Sequence, residues 1–268
     1  TLSLKKSYIK SMKLPIGVID SGVGGASILK EIIKQLPNEN YVFVADTLNA
    51  PYGDKSSKKI VSFVLEIVRF LVLKRGIKIL VVACNTASAI AKESILKEFP
   101  NLPCVFVEPP IKTAVDKGKK NILILATKRT LKSNKTIKYY EMLAKSKKIK
   151  IKKLFIKNLA KFIDDYSNDM NKIDALLKEN IKNKNYDAVV LGCTHYNFVK
   201  ANIKRILPNA DIISCEKSVA SRTNYILNKI EGDTKNNYKP IKRYTNLELI
   251  LTANNPSVLA RLSSMFPG

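Results

Sequence analysis

Short apolar runs and longer amphipathic stretches take turns along this chain. Ile16–Ile19, Tyr41–Ala45 and Ile79–Ala83 are continuous and rich in β-branched residues. Such runs lack a polar face, so they read as strands buried on both sides of a parallel sheet. Small polar residues end the runs, and positions three and four apart then turn apolar, as in a helix with one buried face. Helices are predicted over about Ala26 to Gln35, Ser57 to Lys74 and Ala87 to Glu98, and a fourth strand at Val105–Val107 closes with Glu108-Pro109-Pro110. Strands alternating with helices predict a parallel sheet built through crossovers.

The order then repeats. Strands are predicted at Asn121–Ala126, Lys152–Ile156, Ala188–Gly192 and Asp211–Ile213, with helices near Thr130 to Ala144, Asp169 to Asn183 and Phe198 to Ile206. Matching positions are offset by 105, 109 and 106 residues (Ile16 to Asn121, Cys84 to Cys193, Phe106 to Ile212). An offset this large and steady predicts two related halves rather than a short-period solenoid. The expected fold class is α/β: two similar α/β domains, each with a mostly parallel sheet flanked by helices, pseudo-two-fold related, with the functional site in the cleft between them. Residues 1–98 plus 212–268 are assigned to the first domain and 99–211 to the second. A helix over Ser218 to Ile230, a polar segment Gly232 to Lys242 and a last stretch with apolar residues at helical spacing near its end complete the chain. The role of that last stretch is not readable.

Ligands of open parallel sheets gather outside the carboxyl ends of the strands. Asp20, Ser21, Asp46, Cys84, Thr127 and Cys193 all fall at such ends. Cys84 and Cys193 share a setting: an apolar strand before, small polar residues and a helical pattern after. A thiol at a helix N-terminus is stabilised as thiolate, so both are expected to be pushed that way. Two thiols facing each other could work on both faces of one carbon, removing a proton on one side and returning it on the other. Each feature also has a plainer reading. Buried strand cysteines are commonly inert, Asp20-Ser21-Gly22 would serve as a capping turn, and Gly22 to Gly25 lacks both GxGxxG spacing and a P-loop lysine.

Composition narrows the class. The chain has 268 residues, 46% of them hydrophobic, which suffices for a sizeable core. No apolar run is long enough for a membrane span, and no apolar segment follows the N-terminal lysines, so the cytoplasm is the expected compartment. Four scattered cysteines without a CxxC, and a single histidine, argue against a metal site. Cys104 and Cys215 sit in or beside apolar runs and are expected to be buried packing residues. The formal net charge of +25 is mostly lysine strewn along the chain, without an aromatic-interleaved basic motif. It reads as solvated helix faces, with weak nonspecific nucleic-acid binding at low salt.

Taken together, Asp20-Ser21-Gly22-Val23-Gly24-Gly25, Ala45-Asp46-Thr47, Pro51-Tyr52-Gly53, Ala83-Cys84-Asn85-Thr86-Ala87-Ser88-Ala89, Glu108-Pro109 and Leu191-Gly192-Cys193-Thr194-His195-Tyr196 resemble the glutamate racemases of the aspartate/glutamate racemase superfamily. The likeness runs from about Ile16 to Ile230. It implies interconversion of L- and D-glutamate, an ingredient of bacterial peptidoglycan, with no cofactor. By this resemblance Cys84 and Cys193 alternate as base and acid, Asp20 partners Cys84, and His195 partners Cys193. Asp20, Ser21, Tyr52, Gly53, Asn85, Thr86, Thr194 and His195 are implied substrate contacts, and Thr127 is a weaker candidate. Homodimers occur among such proteins and some are thought to bind DNA gyrase, so beside glutamate a second copy is one open partner, and binding to gyrase or nucleic acid is a rival role. The rivals are racemisation of aspartate or another amino acid, and a one-cysteine decarboxylase, against which the second cysteine speaks. The likeness departs at three places. Pro110 stands where a glycine usually follows Glu-Pro, and Ser214-Cys215 where members often have aspartate or a small residue. The third concerns an acid. Many members carry an acidic residue shortly after the strand matching Leu154–Ile156, where this chain has Ala160, with Asp164 and Asp165 about a turn further on.

Overall fold

The computed structural model of the chain describes residues 14–133, 135–146, 148–166, 169–231 and 246–266. Its strands are β1 (Ile16–Asp20), β2 (Tyr41–Ala45), β3 (Ile79–Val82), β4 (Cys104–Phe106), β5 (Asn121–Ala126), β6 (Lys150–Leu154), β7 (Ala188–Gly192), β8 (Asp211–Ile213) and β9 (Leu247–Leu251). The helices are α1 (Ala26–Gln35), α2 (Ser57–Arg75), α3 (Asn85–Glu98), α4 (Ile111–Asp116), α5 (Lys128–Ser133), α6 (Lys135–Ser146), α7 (Leu159–Asp165), α8 (Met170–Asn180), α9 (Lys200–Ile206), α10 (Glu216–Glu231) and α11 (Pro256–Met265). Short 3-10 turns cover Tyr52–Asp54 and Thr194–Val199.

The strands form two sheets, ordered β4-β3-β1-β2-β9 and β6-β5-β7-β8, and every pairing is parallel. Reversed, the second order reads β8-β7-β5-β6, which is the first order with four added to each strand from β4 to β2. The duplication inferred from sequence offsets is therefore a duplication of topology. The central strands β1, β3 and β7 are buried along their whole length, as their unbroken apolar runs require. One core lies between the first sheet and α1, α10 and α11, with Ile28, Leu29, Ala220, Leu227 and Leu262 fully buried in it. A second core packs α2 and α3 on the opposite face. Helix α2 starts and stops by local chemistry. Ser56 accepts from the Lys59 amide at 3.3 Å, and Gly76 ends the helix at φ +59°, a conformation that costs glycine nothing.

Several boundaries differ from expectation. The strand predicted at Lys152–Ile156 lies at Lys150–Leu154, because it is a charged edge strand paired only with β5, and its apolar content misleads. The single helix expected from Thr130 to Ala144 is divided between α5 and α6, and α4 and α7 were not anticipated at all. Nor was β9, which extends the first sheet beside β2 with Tyr41 opposite Leu247. Strand pairing also moves the expected lines at 98 and 211. β4 hydrogen-bonds into the first sheet and the whole of β8 into the second, so the crossings follow Phe106 and Ile213. Cys215 is buried as expected, but Cys104 is only half-buried at the sheet edge, its thiol donating to the Leu102 carbonyl at 3.2 Å. The segment Gly232 to Lys242 lies outside the described residues. Among the described residues no helix is long and apolar enough to cross a membrane.

Candidate active site

The carboxyl ends of β1 and β3 from the first sheet meet those of β5 and β7 from the second around one cavity of about 530 Å³. Cys84 and Cys193 both line it, one from each sheet. Ser21, Tyr52, Gly53, Asn85, Thr86, Thr194 and His195 line it too, as does Thr127. Asp20 does not. It lies behind the wall, where its Oδ2 accepts from the Gly25 amide at 2.9 Å and the Gly22 amide at 3.3 Å. Its Oδ1 accepts from Thr194 Oγ1 at 3.4 Å, so it ties the two halves together. Asp20 is expected from the sequence to contact substrate, and in this structure it stands just outside the residues that line the cavity.

Glycines allow the halves to approach. A Cβ on Gly24 would stand 2.5 Å from the His195 backbone nitrogen and 2.6 Å from Thr194 Oγ1, and one on Gly53 would stand 3.2 Å from Thr127 Cβ. Thr127 and Thr130 of the second half reach Thr86 of the first through hydroxyl contacts of 3.0 and 3.3 Å. The Tyr52 hydroxyl donates to Asp46 Oδ2 at 2.6 Å. Burial and that bond keep the phenol firmly protonated. Thr252, just after β9, donates to the other Asp46 oxygen at 2.7 Å.

Cys84 caps α3, its sulfur accepting from the Ala87 amide at 3.4 Å and lying 3.4 Å from Ser21 Oγ. The expected drift toward thiolate is opposed by the surroundings of Cys84. Burial, with the Asp20 carboxylate added, pushes the thiol up to about 12, outweighing the helix terminus and the two hydrogen bonds. Asn85, the next residue, is 2% exposed, and among the described residues neither its amide nitrogen nor its amide oxygen has a partner. An unpaired buried amide costs about 1–3 kcal/mol, and one facing a cavity marks where a polar ligand group would sit.

His195 is buried near the start of the turn after β7. Its Nε2 lies 3.2 Å from Asp164 Oδ2. Burial alone would lower its pKa; Asp164 and, less strongly, Cys193 overturn that and hold the imidazole well above its ordinary value. Burial likewise works to raise Asp164, but His195 and Arg261 prevail, and its carboxyl sits below the usual range. Asp164 is the functional residue that sequence reasoning left unassigned. Ala160 does line the cavity, and Asp164, one helical turn on in α7, lines it as well. The i,i+4 spacing was the signal that could have found it. The C-terminal stretch belongs to the site too, since Asn255 and Val258 form part of the wall.

A family model described as Asp/Glu/Hydantoin racemase matches residues 16–219. The chain belongs to the Asp/Glu/hydantoin racemase family. A glutamate racemase of Clostridium acetobutylicum is 40% identical over 222 residues, covering 81% of this chain and 85% of that one. Among solved structures, a glutamate racemase isoform from Bacillus anthracis superposes with TM-score 0.78 at 30% identity, covering 94% of each chain. A glutamate racemase from Francisella tularensis in complex with D-glutamate superposes with TM-score 0.77 at 27% identity, covering 94% of this chain and 93% of that one. The two-sheet architecture is thus the one this racemase family uses.

Proposed function

We propose that this chain is a glutamate racemase that interconverts L- and D-glutamate without a cofactor, by proton transfer between Cα and two thiols, Cys84 and Cys193. The observation that carries the reading is the pair of cysteines brought from two different sheets to one cavity, beside the unpartnered Asn85 amide. The α-carboxylate of the substrate would sit at Asn85 and Thr86, where the first amides of α3 favour an anion. Its ammonium group brings a cation into a site that otherwise disfavours charge on Cys84, and an adjacent cation is what lowers a thiol pKa.

In one direction the Cys84 thiolate takes the proton from one face of Cα while the Cys193 thiol gives one to the other face. Cys84 ends as thiol and Cys193 as thiolate. The reverse direction exchanges these roles, and proton exchange through Asp20 and His195 resets the pair. A thiol whose pKa burial has raised is a weak acid but a strong base once ionised, as an unactivated α-proton demands. His195, held as imidazolium by Asp164, stabilises the Cys193 thiolate or returns its proton. In this reading the enzyme acts in the cytoplasm and supplies D-glutamate for peptidoglycan, and the net charge adds only weak nonspecific nucleic-acid or gyrase binding.

The test is racemisation of L-glutamate in deuterium oxide with no added cofactor. D-glutamate carrying deuterium at Cα is expected from the native protein. Cys84→Ser and Cys193→Ser should each lose nearly all turnover in both directions. Faster turnover of aspartate would overturn the substrate, and near-native racemisation by either serine variant would overturn the two-thiol mechanism.

A further inference from the structure

Helix α11 ends the described chain about 60 residues after the last motif of the racemase site, yet its Arg261 reaches the carboxylate that pairs with the active-site histidine. Asp164 divides its two oxygens. Oδ2 faces His195 Nε2 at 3.2 Å, and Oδ1 accepts from Arg261 Nη1 at 2.7 Å. Arg261 is itself held on two more sides. Its Nη2 donates to the Ile163 carbonyl at 3.3 Å, and its guanidinium carbon lies 4.7 Å from the centre of the Phe198 ring. That ring stands edge-on to the His195 imidazole at 6.4 Å. Asp164 sits near the end of a seven-residue helix with 30% of its side chain exposed, so α7 alone leaves the carboxylate free to turn to solvent. Helix α11 is well placed to prevent this. It follows β9, which is paired along its length to β2, and it buries Val258 and Leu262 in the first core.

We propose that Arg261 is a positioning residue for the racemase reaction: it fixes the Asp164 carboxylate against His195 and thereby sets the proton-transfer network on the Cys193 side of the cavity. The inference rests on the two-thiol reading above. It also gives the C-terminal stretch a role, as the part of the first half that reaches across and locks an acid belonging to the second.

The charged and titratable groups facing His195 are Asp164 from α7, Cys193 from its own loop and Asp20 from β1, with Arg261 behind Asp164. On α7, Lys161 is paired with Asp165 at 2.6 Å and feels Asp164 only as a lesser influence. Two effects of Arg261 on the imidazole therefore oppose each other. As a bare cation it disfavours imidazolium, so its removal would raise the histidine pKa. As the clamp on Asp164 it favours imidazolium, so its removal would lower that pKa.

The chain contains one histidine, so a titration followed by nitrogen-15 NMR on histidine-labelled full-length protein reads His195 without assignment. Arg261→Met is expected to lower the His195 pKa by about 1 pH unit or more. It should also cut kcat by roughly tenfold or more, within the range that general acid–base groups supply. KM for glutamate should hardly change, because Arg261 is not in the cavity wall. Arg261→Lys, which keeps the charge but not the planar fork, should show the same signs at smaller size, and it decides the matter should the methionine variant fail to fold. An unchanged or raised His195 pKa, or a lowered pKa with native kcat, overturns the proposal. Failure of the two-thiol reading is seen separately, as retained racemisation by Cys193→Ser.

Discussion

Replacing Asp164 with asparagine removes one charge and almost no volume, so its effect can be worked out from the ion pair. His195 is buried and its Nε2 lies 3.2 Å from the Asp164 carboxylate. Burial lowers its pKa and Asp164 more than reverses this, leaving a folded-state value well above 6.5. Loss of an adjacent opposite charge shifts a pKa by about 1–3 pH units, each worth about 1.36 kcal/mol. Asp164 is 30% exposed, and solvent screening reduces the figure to about 1–3 kcal/mol in total.

The sign of the pH dependence follows from the two directions. The histidine contributes fully below its unfolded value of 6.5, and the contribution fades as pH rises through the raised folded value. The aspartate contributes above its unfolded value of 3.8, and that part fades as pH falls through the lowered folded value. Both are present between 3.8 and 6.5. Arg261, left without its counterion, does not titrate in this range and adds only a constant deficit. Urea denaturation of native and Asp164→Asn protein, at a series of pH values from about 5.5 upward, should therefore show a deficit that is largest at the acid end and shrinks toward alkaline pH. A deficit that stays flat across the series would refute the reasoning, since it would mean that His195 and Asp164 do not share charge in the folded protein.

Two further outcomes are expected. Gly24→Ala forces a methyl carbon to within 2.5 Å of the His195 backbone and 2.6 Å of Thr194 Oγ1, which should cost about 1–3 kcal/mol in denaturation and depress kcat by displacing the turn that carries His195; native stability and kcat together would show that the halves yield freely at this contact. In an Asp164→Ala background, Ala160→Glu should restore part of the lost kcat, because a longer acid one turn earlier on the same helix face can reach the imidazole; a double variant no better than Asp164→Ala alone would mean that only the acid gripped by Arg261 is competent.

Much of the fold was written locally. Unbroken apolar runs identified β1, β2, β3, β5 and β7 as buried parallel strands, and their repetition announced two halves with one strand order. The site was legible for a related reason: in parallel sheets chemistry collects at strand ends, so Ser21, Cys84, Thr127 and Cys193 could be placed around one cavity before any contact was known. Edge strands escaped this logic. β6 carries three lysines among its five residues and buries none of the five, and β9 belongs to a sheet whose other members lie far earlier in the chain. Neither partner choice nor edge position is encoded in a strand's own periodicity.

The protonation states were not legible either. The sequence placed Cys84 at a helix N-terminus and so pointed to a lowered pKa, while burial and the Asp20 carboxylate push it to about 12. The missing acid at Ala160 was visible as a departure, but the pairing of Asp164 with His195 on one side and Arg261 on the other emerged only with the packing of α7 and α11. What the sequence by itself determined was the alternation of strands and helices, the duplication, and the two thiols at equivalent strand ends, all of which depend on neighbours along the chain. What only the tertiary structure decided was which charges are buried together and which residues distant in sequence hold them, because desolvation and Coulomb energy depend on distance and solvent access in space.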